Sequence, residues 1–120
     1  MTPETINRCV TELRQGYPGA ERADEGYVAL VRLPLINFPL GCQPLSTRGI
    51  VILDPGQPKP RLLIGDRPKT PGGATPRNVN PEMAGGEAWF CFSFNVPWDE
   101  NRHSALQFVE SALRRFAKDE

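Results

Sequence analysis

Three cysteines are the side chains of this sequence best suited to nucleophilic chemistry, and Cys91 is the one that we single out. It lies in the segment AWFCFSF at 88–94, where alternation puts it on the strand face opposite three phenylalanines, together with Ser93. Asn95 follows closely in the chain. A reactive thiol needs an accessible, polar setting that favours the thiolate. The sequence leaves open whether Cys91 has such a setting or only packs against its neighbours.

The other two cysteines favour structural roles. Cys9 falls on the apolar side of a predicted helix, where a thiol packs as a small hydrophobic group. Cys42 lies in the turn-rich segment FPLGCQP, with no base or cation next to it in sequence. The cysteine count is odd, and the sequence has no Cys-x-x-Cys pair and no Cys/His cluster. This pattern indicates free thiols in a reducing, cytoplasmic compartment and no structural zinc.

His103 is the single histidine, so any Cys/His dyad or Ser/His/Asp triad would have to use it. It is predicted near the start of the last helix, where a histidine is more typical of a solvated surface residue than of a base. The sequence also lacks the phosphate-binding, dinucleotide-binding, serine-hydrolase and zinc-protease motifs. It therefore gives no sign of a cofactor or a metal.

Length and charge limit the remaining function classes. A chain of 120 residues is typical of one domain, and its 14 basic residues balance 14 acidic ones. This balance argues against a strongly basic surface for nucleic acid. No apolar run approaches the ~18 residues of a membrane span, and no secretory signal opens the chain. We therefore expect a cytoplasmic protein with neither nucleic acid nor membrane as a partner.

Two amphipathic helices enclose the predicted strands. Thr2 and Pro3 are a typical cap and first residue for a helix over 3–15. Asp99 is the expected cap of a second helix, over 101–117. This order predicts an α+β fold, a four-stranded antiparallel meander with both helices on one face. The expected strands are 27–33, 48–53, 61–64 and 88–94.

Two segments read as irregular. Residues 17–26 are turn-rich, and residues 66–86 contain four prolines and four glycines. We expect 66–86 to be an exposed loop without regular structure. A loop of this length in a small domain is often functional, although a mobile loop without a function is an equally good alternative.

Four motifs give the sequence a family resemblance. They are LPLINFPLGCQP at 33–44, RGIVILDPG at 48–56, GEAWFCFSFNVPW at 86–98 and HSALQFVESALRRF at 103–116. With the element order, they resemble the ubiquitin-conjugating-enzyme (UBC-like) fold over about 27–116. More closely, they resemble divergent prokaryotic members of that superfamily, whose genes accompany bacterial ubiquitin-like proteins, ThiF-type activating enzymes and JAB-type peptidases. The positions that match the prokaryotic pattern are Gly86, Trp89, Phe92, Ser93 and Trp98.

The resemblance implies that 1–120 form a single UBC-like domain that acts in conjugation. Such a protein accepts the C-terminal glycine of a ubiquitin-like protein from an activating enzyme, as a thioester, and passes it to an amine. By position, the resemblance makes Cys91 the covalent nucleophile. Asn78 or Asn95 would donate to the oxyanion of the tetrahedral intermediate. The implied partners are the activating enzyme, the ubiquitin-like protein and a JAB-type peptidase of the same pathway.

The sequence departs from the family at one motif. Typical members carry His-Pro-Asn shortly before the catalytic cysteine, whereas this chain has Pro76-Arg77-Asn78, farther from Cys91. Divergent bacterial systems can use a hydroxyl nucleophile, which would make Ser93 the acceptor of an oxyester. A non-catalytic UBC-like adaptor that only binds these partners is a further alternative. The third is a small α+β domain of unrelated function.

Overall fold

A computed structural model describes residues 1–92 and 96–117. The first element, helix α1 (Pro3–Gly16), confirms the helix predicted over 3–15. The Thr2 side chain accepts a hydrogen bond from the backbone N–H of Thr5, and Pro3 occupies the first turn. The apolar stripe of α1 is buried and comprises Ile6, Cys9, Val10 and Leu13.

The strands form one antiparallel sheet of six, two more than the sequence predicted. The strands are β1 (Glu21–Glu25), β2 (Val28–Asn37), β3 (Ser46–Leu53), β4 (Arg61–Ile64), β5 (Val79–Ala84) and β6 (Glu87–Phe92). In the sheet they lie in the order β1-β2-β3-β4-β6-β5. Of the strand predicted over 88–94, residues 93 and 94 lie outside the described residues.

The two additional strands correct the predictions for the irregular segments. β1 lies within the turn-rich segment 17–26 and is exposed throughout, so hydrophobic patterning gives no signal for it. β5 lies within 66–86, which is therefore not irregular throughout. It pairs with β6 through a two-residue turn, Gly85-Gly86, in which both glycines have positive φ. Pro81 is tolerated in β5 because β5 is an edge strand.

Helix α2 (Ala105–Arg114) is shorter than predicted, and a 3-10 turn (Arg115–Ala117) continues it. Its cap is Ser104, which forms a capping box with Gln107. Asp99, the predicted cap, instead closes a separate turn, in which its backbone carbonyl accepts from the N–H groups of Arg102 and His103. The helix therefore starts four residues later than 101.

Both helices cover one face of the sheet, as predicted. Their buried residues join the strand residues Val31, Leu33, Ile36 and Val51 in one cluster, which we call the helix-side core. Phe90 and Phe92 pack against this core, so the alternation of phenylalanines in β6 correctly predicted its core face.

The opposite face, which we call the outer face, has a smaller cluster of its own. It comprises Leu30, Ile50, Leu63 and Trp89 and contains no helix residue. Arg32 of β2 reaches the Gly85 carbonyl at 3.0 Å and the Glu87 carboxylate at 2.7 Å. Because β3 and β4 lie between β2 and β6, these contacts require the sheet to curl around the cluster.

In the part of the chain that the structure describes, no helix has the length and apolar character needed to cross a bilayer.

Candidate functional site

Cys91 lies on β6 and faces the outer side of the sheet. It is half-buried and packs against the outer-face cluster, whereas Phe90 and Phe92 face the helix-side core. This placement agrees with the sequence prediction that Cys91 need not be buried with the phenylalanines. The other two predicted candidates on this segment, Ser93 and Asn95, lie outside the described residues.

The sheet register brings an asparagine to Cys91 that the sequence analysis missed. Cys91 pairs with Leu63 of β4 on one side and with Asn80 of β5 on the other. Directly opposed residues of antiparallel strands share a face, so the Asn80 carboxamide and the thiol lie on the same side of the sheet. Asn78, the predicted candidate, is exposed in the turn before β5. The residue directly across from Cys91 is thus Asn80.

A cavity of about 290 Å³ opens beside Cys91. It exists because β4 and β6 pair at only two positions, Leu63 with Cys91 and Ile64 with Phe90, and then part. The apolar wall of the cavity includes Leu62, Phe92, Val96 and Phe108, and its polar wall includes Gln57, Lys59 and Arg61. The thiol therefore borders a cleft that is apolar on one side and cationic on the other.

An ion pair adjoins the thiol. The Arg61 Nη2 lies 2.7 Å from the Glu82 Oε1. Hydrogen bonding from Arg61 is the main reason that the pKa of Glu82 falls below its usual value, and the Cys91 side chain acts weakly in the same direction. One cation and one carboxylate thus lie close to the thiol.

Cys9 and Cys42 are fully buried in the helix-side core, whereas the sequence favoured burial for Cys9 and left packing or incidental exposure open for Cys42. Burial raises the pKa of the Cys9 thiol, and the charge of Glu12 raises it further. Burial also raises the pKa of Cys42, whose sulfur donates to the Phe116 carbonyl at 3.3 Å. Both thiols are therefore held in the unreactive, protonated form.

His103 has a structural partner. Its Nδ1 accepts a hydrogen bond of 2.8 Å from the backbone N–H of Asp99, in the turn that precedes α2. The prediction that placed His103 near the start of the last helix is confirmed, although it lies just before the cap. With Nδ1 engaged in this turn, the imidazole stabilises the local backbone.

A larger cavity, of about 710 Å³, lies between the start of α1 and the β1–β2 turn. Its charged residues already have partners: Arg22 contacts Asp24 at 2.9 Å and the Asn7 side chain at 2.8 Å, and Asp54 accepts a hydrogen bond from the backbone N–H of Gly56. No cysteine or histidine lines it among the described residues. Within residues 1–92 and 96–117, no group of three histidine, cysteine or acidic side chains is placed to bind a metal. The cavity beside Cys91 is therefore the better candidate site.

The arrangement around Cys91 is suited to acyl transfer. The thiol is a nucleophile once deprotonated, and a carboxamide across the strand can donate a hydrogen bond to an oxyanion. A partial signal for Asn80 was present in the sequence: Gly85-Gly86 is typical of a hairpin turn and directly precedes the strand-like run 88–94, so a strand before it would lie beside β6.

The chain matches no protein-family model, and neither the curated proteins nor the solved structures contain a match.

Proposed function

We propose that this protein is a ubiquitin-conjugating-enzyme-like acyl carrier with a UBC-like fold, in which Cys91 is the acceptor. The observation that carries the proposal is the position of Cys91. It is half-buried at the edge of a cleft, with Asn80 directly opposite, whereas Cys9 and Cys42 are fully buried. A thiol that must accept and release a protein's C-terminus needs this kind of access.

The chemistry is two successive acyl transfers. The Cys91 sulfur attacks the carbonyl carbon of the thioester that the activating enzyme carries, and that enzyme's cysteine leaves as a thiolate. A primary amine of the target then attacks the Cys91 thioester, forms an amide, loses a proton and releases the Cys91 thiolate. Asn80 is our first choice for the donor to each oxyanion, with Asn78 and Asn95 as the alternatives.

The partners of this proposal are a ThiF-type activating enzyme and a ubiquitin-like protein, with a JAB-type peptidase acting in the same pathway. The reaction takes place in the cytoplasm. A small C-terminal glycine fits a narrow cleft of about 290 Å³ better than a bulky acyl group does. Ser93 is the alternative acceptor, in which case the product is an oxyester.

A non-catalytic adaptor is the second candidate. Residues 33–47 contain no charged side chain, yet three leucines of this segment are exposed. Leu35 and Leu45 are 60% exposed and Leu40 is 90% exposed. Apolar side chains in water favour contact with another protein surface, so this segment is suited to binding the ubiquitin-like protein without chemistry.

The test is reconstitution with ATP, a ThiF-type activating enzyme and a ubiquitin-like protein, which are to be sought among the gene neighbours of this chain. We expect an adduct that a thiol reductant removes and that Cys91→Ala abolishes. Asn80→Ala should slow adduct formation by ~10–100-fold, as the loss of one oxyanion donor does elsewhere. Asn78→Ala is the matched control and should have a smaller effect.

Other outcomes would replace the proposal. An adduct that resists reductant and yields to mild base would transfer the role to Ser93. Binding of the ubiquitin-like protein without any adduct would favour the adaptor. Gene neighbours that encode neither an activating enzyme nor a ubiquitin-like protein would contradict both candidates and favour the unrelated α+β domain.

A further inference from the structure

The ion pair between Arg61 and Glu82 joins two strands that are not neighbours. Arg61 lies on β4 and Glu82 on β5, and β6 lies between these strands in the sheet. A contact of 2.7 Å between the two side chains must therefore cross β6. The crossing lies on the outer face, because Arg61 alternates with Leu63 and Glu82 pairs with Trp89, both members of the outer-face cluster.

Cys91 is the β6 residue beneath this crossing. Leu63, two residues along β4 from Arg61, pairs with Cys91. Asn80, two residues along β5 from Glu82, pairs with it from the other side. Arg61 and Glu82 thus lie diagonally on either side of Cys91, and the ion pair passes over its side chain.

We propose that the Arg61–Glu82 ion pair sets the reactivity of the Cys91 thiol, with Arg61 favouring the thiolate and Glu82 opposing it. The physical reason is that like charges near a titrating group disfavour its charged form and opposite charges favour it. Both residues act through Cys91 and are positioning residues. The inference deepens the proposed function and rests on it only for the claim that Cys91 is the acceptor in conjugation.

Apart from Arg61 and Glu82, most of the groups around Cys91 are uncharged. Lys59 lines the same cavity and adds a second cation, at the cavity wall. Asn80 and Leu63, the direct neighbours on β5 and β4, are uncharged. Phe108 and Ala112, which α2 contributes to the cavity, are also uncharged. A change in the charge of Arg61 or Glu82 should therefore reach the thiol without compensation from α2.

The experiment measures alkylation of Cys91 by the neutral reagent iodoacetamide across pH 6–10. The full chain is used, and the modification of each cysteine is followed separately by mass spectrometry. We expect Glu82→Gln to increase the rate at pH 7 by ~3–10-fold and to move the half-maximal rate to lower pH. Arg61→Gln should decrease the rate at pH 7 by a similar factor and move the half-maximal rate to higher pH. The plateau rate at high pH should change by less than ~2-fold, since it reports the same thiolate in each variant.

Two further variants keep the test decisive. Glu87→Gln removes a carboxylate from the same strand as Cys91, but Glu87 pairs with Arg32 and Arg48 instead of Arg61. This variant should leave the pH profile of Cys91 alkylation unchanged. Arg61→Lys keeps the positive charge and should keep the wild-type midpoint, even if Arg61→Gln fails to fold. At 1 M NaCl the difference between Glu82→Gln and wild type should shrink, because salt screens charges on a partly exposed surface.

Two results would overturn the inference. If Glu82→Gln and Arg61→Gln both increased the rate by the same factor at every pH, the ion pair would be only a steric cover. If neither variant moved the midpoint, the pair would not control the thiol at all. Alkylation needs no ubiquitin-like partner, so a missing adduct in the reconstitution would refute the proposed function and leave this inference standing.

Discussion

The two faces of the sheet are stabilised by different interactions. The helix side carries a continuous apolar core to which both helices contribute, and Cys9 and Cys42 are sealed within it. Among the described residues, the outer-face cluster buries four side chains, and three arginine–glutamate contacts surround them: Arg32–Glu87, Arg48–Glu87 and Arg61–Glu82. Arg48 also stacks on Trp89, with its guanidinium carbon 4.0 Å from the ring centre.

Because of this difference, one face of the sheet supplies most of the stability and the other carries the reactive thiol. Apolar burial on the helix side supplies the larger share of the folding free energy, since that share scales with the apolar area removed from water. Charged groups in partly exposed positions contribute little to stability, and the ion pair that we propose to act on Cys91 lies on this face. A nucleophile on the outer face can therefore be tuned without disturbing the main core.

The largest expected contrast between the faces is in thiol reactivity. In the folded protein, iodoacetamide at pH 8 should modify Cys91 at least ~100-fold faster than Cys9 or Cys42, because the buried thiols react only after local opening. Mass spectrometry of each cysteine-containing peptide measures this ratio. In 6 M guanidinium the three rates should converge within a few-fold. Equal rates at Cys91 and Cys42 in the folded protein would end the distinction between the faces.

The next effect concerns the helix-side core. Phe116 is fully buried and packs edge-on against Phe38 and Phe92, at centroid distances of 5.4 and 5.1 Å. We expect Phe116→Ala to lower the free energy of unfolding by ~3–5 kcal/mol, through lost apolar burial and the cavity that remains. Urea denaturation measures the change. Tyr27→Ala, at a side chain that is 91% exposed, is the control and should stay within ~0.5 kcal/mol of wild type.

The corresponding change on the outer face should cost less. Trp89→Phe removes a hydrogen bond of 3.0 Å from the indole N–H to the Ala84 carbonyl and weakens the contact with Arg48. We expect a loss of ~1–2 kcal/mol in the free energy of unfolding. Met83→Ala, on the exposed side of β5, should change it by less than ~0.5 kcal/mol. A cost for Trp89→Phe above that of Phe116→Ala would reverse the assignment of stability to the helix side.

The smallest expected effect is the acid dependence of the outer face. Hydrogen bonds from Arg32 and Arg48 lower the pKa of Glu87, and Arg61 lowers that of Glu82. Because both pKa values are lower in the folded state, their stabilisation is present above the ordinary carboxyl value of ~4.3 and is lost as the pH falls through the lowered values. The urea midpoint should therefore drop less between pH 7 and pH 3 in Glu87→Gln/Glu82→Gln than in wild type. Met83→Ala should keep the wild-type drop, and an unchanged drop in the double variant would contradict this account.

Local signals made part of the fold predictable. Thr2, Pro3 and the apolar stripe of α1 lie within one short segment, so that helix was predicted to within a residue. The start of α2 was missed although Ser104 and Gln107 are a local capping-box pair, because Asp99 is a second possible cap a few residues earlier. A contact with α1 also favours the later start. The carboxylate of Glu12, on α1, accepts the backbone N–H of Ala105 and helps to fix the helix start after Ser104.

The missed strands have non-local causes. β1 has no buried residue, so its main support is backbone pairing with β2, to which the contact of Arg22 with Asn7 of α1 adds. β5 contains Pro81, which argues against a strand unless the strand lies at an edge, and the edge position is a property of the whole sheet. The position of Asn80 was missed for the same reason as β5, because Asn80 lies beside Cys91 only through the pairing of β5 with β6.

The sequence by itself determined the α+β class, the helix over 3–15 and the face of β6 on which Cys91 lies, because caps, apolar periodicity and strand alternation act between residues close in the chain. Only the tertiary structure decided what surrounds the thiol. The sheet places β6 between β4 and β5, an order that differs from the chain order, and so brings Arg61 and Glu82 together across Cys91. That order depends on the burial of Leu63 and Trp89 beneath a curled sheet, a sum of contacts between distant segments that no local pattern encodes.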